Sequence, residues 1–340
     1  MYERFFGLTK APFSIVPDPD CLHLTKQHAD AISGLAFGVL ERKGYLVITA
    51  EAGLGKTTAL RVLSNLLQES RIATSVIVAP TLTPSEFLEM AMLNFGFKDI
   101  PASKAQRLKK LEEFLVKLDA QDRTAALIVD EAHQLSADLL EEIRLLGNLE
   151  SAERKLLQIV LGGQEDLDDH LNLPELWQLK QRITVRVSLR PLHRDSTAEY
   201  IHFRWMRAGG AEPVPFTIEA IDAIANWSRG VPRLINVICD NALLVAFSET
   251  TRKIDLEFVR EACHELAIAS PPVTRALGDA TTEALSGGEA SILSLIDQVP
   301  ASEDATVAND PERGFVWKRW RDSKRRRSRS RTGFLLLKEP

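Results

Sequence analysis

An apolar run, Tyr45-Leu46-Val47-Ile48-Thr49, leads through Ala50 into Glu51-Ala52-Gly53-Leu54-Gly55-Lys56-Thr57-Thr58. These residue types at this spacing suit the binding of a phosphate chain. Gly53 and Gly55 let backbone N–H groups turn inward around an anion, and a helix opening near Lys56 adds the partial positive charge of its N-terminus. The Lys56 ammonium can reach outer phosphates, and the Thr57 hydroxyl suits a Mg²⁺ ion. The expected nucleotide contacts are Ala52, Gly53, Leu54, Gly55, Lys56, Thr57 and Thr58. One position departs from the pattern G-x-x-x-x-G-K-[ST]: its first glycine is Ala50. Alanine is small, and the turn survives if φ there stays negative.

A second apolar run, Leu127-Ile128-Val129, ends in Asp130 and Glu131. Asp130 is expected to hold Mg²⁺, directly or through water, and Glu131 to orient and polarise an attacking water. Asp130-Glu131-Ala132-His133 also spells a helicase motif. Such helicases need two sheet domains, whereas one fits before the helical segment, so His133 reads as a local helix-start or interface residue. Gln164 follows the strand candidate 156–161 and Gly162-Gly163, where a polar side chain can position water beside a γ-phosphate. Arg182, just before the last strand candidate, is expected to point out of its own subunit toward a neighbour's γ-phosphate, with Arg186 and Lys180 as competitors. Arg233 follows Gly230-Val231-Pro232 in the first turn of a helix. That end of a helix disfavours a cation, so the placement points to an anion partner.

The elements that must position these groups are legible in the apolar pattern. Strand candidates lie at 45–49, 74–79, 125–129, 156–161 and 183–189, with helices at 26–42, 56–69, 84–95, 104–120 and 137–150. Continuous apolar runs alternating with helices predict a parallel sheet covered on both faces. Thr25 is a reasonable N-cap, and Thr83-Pro84-Ser85-Glu86 is a helix start with proline at its first position. From 196 to 268 only helices fit, at 196–208, 217–228, 232–248 and 255–268.

With 340 residues, 45% hydrophobic and 26% charged, the composition is that of a soluble globular protein with two domains and a tail. No stretch approaches the roughly 20 apolar residues that span a bilayer, and the N-terminus lacks the pattern of a secretory signal. Cys21, Cys239 and Cys263 are scattered and read as buried small hydrophobes in a reducing compartment, not a metal site or disulfide framework. Residues 311–340 hold 11 Lys/Arg against 3 Asp/Glu, a charge of +8, while the rest of the chain carries −13. An acidic body with a basic tail bears on partners.

In their order, these elements resemble an AAA+ ATPase: Walker A at 50–57, Walker B at 126–131, sensor 1 at Gln164, the arginine finger at Arg182 and sensor 2 at Arg233. More narrowly, the chain is similar to the ExeA/GspA family of general secretion pathway ATPases. The shared marks are Tyr2-Glu3-Arg4-Phe5-Phe6-Gly7-Leu8, Pro12-Phe13-Ser14, Pro17-Asp18-Pro19, His28, Asp130-Glu131-Ala132-His133, Gly163-Gln164, Gln181-Arg182-Ile183 and Gly230-Val231-Pro232-Arg233. The resemblance covers residues 1–268. Secretion-type members continue into a transmembrane segment and a periplasmic peptidoglycan-binding domain, and neither is legible here.

The expected fold is therefore an α/β P-loop NTPase sheet of order 5-1-4-3-2 with a C-terminal α-helical lid, and ATP in the cleft between them. The expected division is a lead-in and helix at 1–44, the nucleotide-binding domain at 45–195, the lid at 196–270, a disordered linker at 271–314 and a basic tail at 315–340. The lead-in at 11–20 either covers the adenine base, as the resemblance implies, or simply packs. The expected activity is Mg²⁺-dependent ATP hydrolysis coupled to lid motion and homo-oligomer assembly, serving secretion or envelope machinery from the cytoplasm, with association at the inner face of a membrane as an option. A DNA-binding, transposition-helper-like ATPase is the alternative. A binding module with little turnover is a third, against which Glu131 and the arginines argue. For the tail, with Trp317 and Trp320 among its basic residues, three readings stay open: a nucleic-acid arm, an anionic-membrane anchor, or a solvated end.

Overall fold

Tyr45–Ala50, buried at all six positions, forms the strand around which the site is built. The computed structural model describes residues 2–15, 23–78, 82–152 and 154–268, all within one packed unit, Met1–Pro272. The expected linker at 271–314 and basic tail at 315–340 lie outside the described residues, as do Pro17, Asp18, Pro19 and Cys21.

Along the chain, α1 (Tyr2–Phe6) and α2 (Lys26–Leu40) precede β1 (Tyr45–Ala50), α3 (Lys56–Glu69), β2 (Ala73–Ile77), α4 (Pro84–Asn94) and α5 (Lys104–Asp119). Then come β3 (Ala125–Val129), α6 (Ala137–Leu146), β4 (Leu157–Gly163), α7 (Asp166–Leu171), α8 (Trp177–Lys180) and β5 (Ile183–Leu189). A helical segment follows: α9 (Arg194–Arg207), α10 (Ile218–Ser228), α11 (Pro232–Ser248) and α12 (Leu256–Glu265).

The five strands form one parallel sheet in the order β2-β3-β4-β1-β5, which is the expected 5-1-4-3-2. β1, β3 and β4 are buried throughout, so their sequences are nearly all apolar. β5 is different. It lies at the sheet edge and alternates, with Thr184, Arg186 and Ser188 exposed and Val185 and Val187 turned toward the glycines of α2.

One hydrophobic core joins Tyr45, Val47, Leu127, Val129, Ile159 and Leu161 of the sheet to α4, α5 and α6. On the other face α2 and α3 close over Leu46, Ile48 and Val185. A second core belongs to the helical segment. It takes in Ile201 and Trp205 of α9, Ile224 of α10, Ile238 and Leu243 of α11 and Val259 of α12, together with Tyr2, Leu8 and Phe13 from the start of the chain. The buried Arg204 guanidinium fastens that start by donating to the carbonyls of Pro12 (2.7 Å) and Ser14 (2.9 Å). The first residues thus pack with the helices that follow the sheet, while α2 packs on the sheet. Cys239 and Cys263 sit in this second core as free thiols, and burial pushes the Cys263 thiol up to about 11.

Local chemistry explains the helix ends. Thr83 and Glu86 form a reciprocal capping box at α4 with Pro84 at its first position, and Thr25 and Thr217 cap α2 and α10. α6 stops at Leu146, short of the expected 150, and the Tyr45 hydroxyl donates to the Arg144 carbonyl (2.8 Å) in its last turn. β4 runs on to Gly163, past the expected 161, because Gly162 has no side chain to collide with Leu60 of α3. α1, α7 and α8 are too short for a 3.6-residue period to reveal. Among the described residues no helix is long and apolar enough to cross a membrane.

Candidate functional site

The site lies where β1, β3 and β4 end, and the register brings those ends together. Thr49 pairs with Gly163, and Val129 pairs with Leu161, so Ala50, Asp130 and Gln164 emerge on one edge. Ala50 closes β1 opposite Leu189 as a fully buried strand residue, so the missing glycine costs the turn nothing. The loop then uses glycine where it must. Gly53 and Gly55 adopt φ of +88° and +90°, and Gly55 is the N-cap of α3.

At the start of α3, Lys56 Nζ lies 2.8 Å from Asp130 Oδ1 and 2.9 Å from Glu131 Oε1, and the Thr57 hydroxyl donates to Asp130 Oδ2 at 2.6 Å. Lys56 and Asp130 are almost wholly buried, at 6% and 2% exposure. Glu131, partly exposed, takes a left-handed backbone conformation (φ 54°, ψ 34°). For a non-glycine residue this costs on the order of 1 kcal/mol. Conformations of that kind gather at functional sites, and here it turns the carboxylate back toward Lys56.

Gln164 follows β4 directly, and its side-chain amide lies 3.2 Å from His133 Nε2. His133 Nδ1 is in turn 3.5 Å from Glu131 Oε2. The expectation of a local helix-start holds in that His133 occupies the 3-10 turn Ala132–Gln134, but its side chain joins the two groups expected to handle water. Sequence reasoning missed this link. The only signal for it was adjacency to the two acids.

Arg233 approaches from the helical segment. It is the second residue of α11, and its backbone N–H donates to the Gly53 carbonyl at 3.3 Å. Gly53 permits that approach, because a Cβ there would lie 2.8 Å from Arg233 Cβ. A cavity of about 500 Å³ runs between loop and helices, and Lys56, Thr57, Glu131, Gln164 and Arg233 all line it. Its other end is walled by Ile15, Leu24, Leu192 and Tyr200. The Tyr200 hydroxyl donates to Asn236 (3.0 Å), and burial raises its pKa. Ile15 is thus the part of the lead-in seen at the cavity, and residues 16–22 lie outside the described residues.

Arg182 does not join this group. It precedes Ile183, which pairs with Tyr45 at the start of β1, so it sits at the far end of the sheet, about 17 Å along the strand from Ala50. There its guanidinium donates to the Asn148 side chain and to the Arg144 carbonyl (3.5 Å). Arg186 is held by Asp168 and Lys180 by Asn172.

The donors present fit Mg²⁺. The Thr57 hydroxyl and Asp130 carboxylate are hard oxygen ligands side by side, and Mg²⁺ usually takes one or two carboxylates plus phosphate oxygens and water.

Residues 39–171 match the family described as AAA domain. Over 273 residues the chain is 40% identical to general secretion pathway protein A of Aeromonas hydrophila. The alignment to the Aeromonas protein covers 78% of this chain and 49% of the relative, so the chain spans about half that relative's length. The ATP-dependent target DNA activator B of Escherichia phage Mu is 26% identical over 229 residues, covering 65% of each protein. Among solved structures, the ORC2 protein of Aeropyrum pernix, in its ADPNP–ADP complexes, superposes with a TM-score of 0.57 at 17% identity, over 77% of this chain and 72% of that one. That likeness is one of fold.

Proposed function

We propose that this chain is an AAA+ ATPase that binds ATP with Mg²⁺ in the cavity and hydrolyses it there. The observation that carries the reading is the convergence of Lys56, Thr57, Asp130 and Glu131 in one hydrogen-bonded network at the start of α3. In this reading the backbone N–H groups of 52–58 and the N-terminus of α3 hold the phosphates. Lys56 exchanges its two carboxylates for phosphate oxygens, which frees Glu131 to accept a proton from water. Mg²⁺, held by Thr57 and Asp130, would neutralise charge between the outer phosphates. Gln164 positions the water and Arg233 reports the phosphates to the helical lid. Arg182, remote from its own loop, serves the site of a neighbouring copy, so the ring or filament completes each site.

The test compares ATP binding and turnover in the wild type and in Glu131→Gln. Retained binding with turnover lowered about 10²-fold or more is expected. Full turnover in Glu131→Gln overturns the mechanism.

For the work driven by hydrolysis, the likeness to general secretion pathway protein A supports assembly of secretion or envelope machinery at the cytoplasmic face of a membrane. The likeness to the phage Mu protein, named for target DNA activation, supports the alternative of a DNA transaction. Adjacent secretin and pseudopilin genes would favour the first, and an adjacent transposase gene the second. The basic tail is the candidate contact for nucleic acid or anionic lipid in either reading.

A further inference from the structure

We propose that His28 is a positioning residue for the phosphate loop, holding its backbone in the phosphate-binding shape through the Leu54 carbonyl. The proposal rests on the nucleotide reading of the cavity.

His28 lies in the first turn of α2, is 7% exposed and lines the cavity beside the loop. Its Nε2 is 2.9 Å from the Leu54 carbonyl oxygen, and its Nδ1 is 2.7 Å from Thr25 Oγ1. A carbonyl oxygen only accepts, so Nε2 carries the proton, and Nδ1 then accepts from the Thr25 hydroxyl. Burial lowers the ring's affinity for a second proton, which keeps it in this neutral form. Thr25 is itself the N-cap of α2. The result is a chain of contacts from the cap of α2 through the ring to the loop.

The place of attachment gives the contact its consequence. Leu54 is flanked by Gly53 and Gly55, both at positive φ. Glycines have the widest backbone freedom, so the peptide between them is the part of the loop least held by its own sequence. The imidazole also fills the space beside Gly55, where a Cβ would stand 3.0 Å from Nε2. One side chain thus fixes the carbonyl of the peptide whose neighbouring N–H groups face the phosphates. Without that anchor the loop must be ordered by the ligand, which weakens binding.

The test uses the full chain and two polar substitutions. In His28→Gln the amide nitrogen reaches as far as Nε2, whereas in His28→Asn it reaches only as far as Nδ1. ATP and inorganic tripolyphosphate are titrated into each by calorimetry, with melting temperatures measured without ligand. His28→Gln should bind both within about twofold of wild type, and His28→Asn roughly three- to tenfold more weakly, the worth of one hydrogen bond. The loss in His28→Asn should be the same for ATP and for tripolyphosphate. Equal affinities in the two variants at matched melting temperature overturn the proposal. A loss confined to ATP also overturns it, because it would place the effect of His28 at the base. A wild type that binds neither probe removes the nucleotide reading itself, which distinguishes that failure from failure of the His28 role.

Discussion

The backbone N–H of Arg233 donates to the carbonyl of Gly53, tying the first turn of α11 directly to the phosphate loop. The helical segment is therefore attached to the backbone of the loop itself. In the proposed reading, a lid that hangs on the loop's own backbone would feel the ligand with no intermediate element between them.

Gly53→Ala tests this joint. The new methyl would meet Arg233 Cβ at 2.8 Å, on a residue at φ +88°. Either the loop or α11 must shift. A stability loss of about 1–3 kcal/mol is expected, with ATP affinity down at least about tenfold. Thermal melts and calorimetry measure the two, and unchanged affinity argues against coupling through this contact.

Lys56→Ala removes the ammonium that lies between Asp130 and Glu131. Two carboxylates then face each other without a cation, in a setting where Asp130 is 2% exposed. ATP binding should be lost, and stability should fall by roughly 3 kcal/mol because a buried partner is left uncompensated. Denaturant titration with and without ATP reads both quantities.

Arg182→Ala should leave ATP binding intact, since Arg182 sits at the opposite end of the sheet from the loop. Turnover should fall by about 10³-fold and lose its dependence on protein concentration. Mixing Arg182→Ala with Lys56→Ala should restore activity above either alone, because each supplies what the other's site lacks. Absence of that complementation means Arg182 does not act across subunits.

His133→Ala separates the two groups proposed to handle water. His133 stands between Gln164 and Glu131, at 3.2 Å and 3.5 Å. Turnover should fall about tenfold or more with ATP affinity unchanged, the pattern of a group that matters only as charge develops. A matching loss in affinity would instead mark His133 as a packing residue.

Stability should also fall toward acid through His28. Burial holds its pKa below the ordinary 6.5 in the folded chain. As pH drops through 6.5 the unfolded chain takes a proton that the folded chain refuses, so the unfolded state is favoured. The contribution is complete above pH 6.5 and declines below it, by up to about 1.4 kcal/mol per pH unit, until the lowered folded pKa is reached. His28→Gln should flatten that part of the profile between pH 7.5 and 5.5.

Much of the fold was legible because its signals are local. β3 is five apolar residues ended by two acids, and α4 carries its own capping box. The edge strand β5 could be found from Ile183, Val185 and Val187, although only half of it is apolar, because the exposed face of an edge strand needs no burial. The short helices α1, α7 and α8 were not legible, since fewer than two turns leave no period to read. In the site, Lys56 and Thr57 were marked by the glycine spacing of the loop, and Asp130, Glu131 and Gln164 by their position just after an apolar run. His133 and the anchoring contact of His28 were not, because their partners lie on other elements.

What the sequence determined by itself is the set of reactive groups and the strands and helix starts that carry them, because periodicity, caps and glycine spacing act over a few residues. Only the tertiary structure decided which of those groups meet. Parallel pairing of β1 with β4, and of β4 with β3, brought Asp130 to Lys56 across 74 positions of chain. Packing of the second core carried Arg233 to Gly53 and the first residues onto the helices that follow the sheet. The same register left Arg182 at the far end of β5, out of reach of its own loop. These meetings depend on how whole faces bury against one another, which no local stretch of chain encodes.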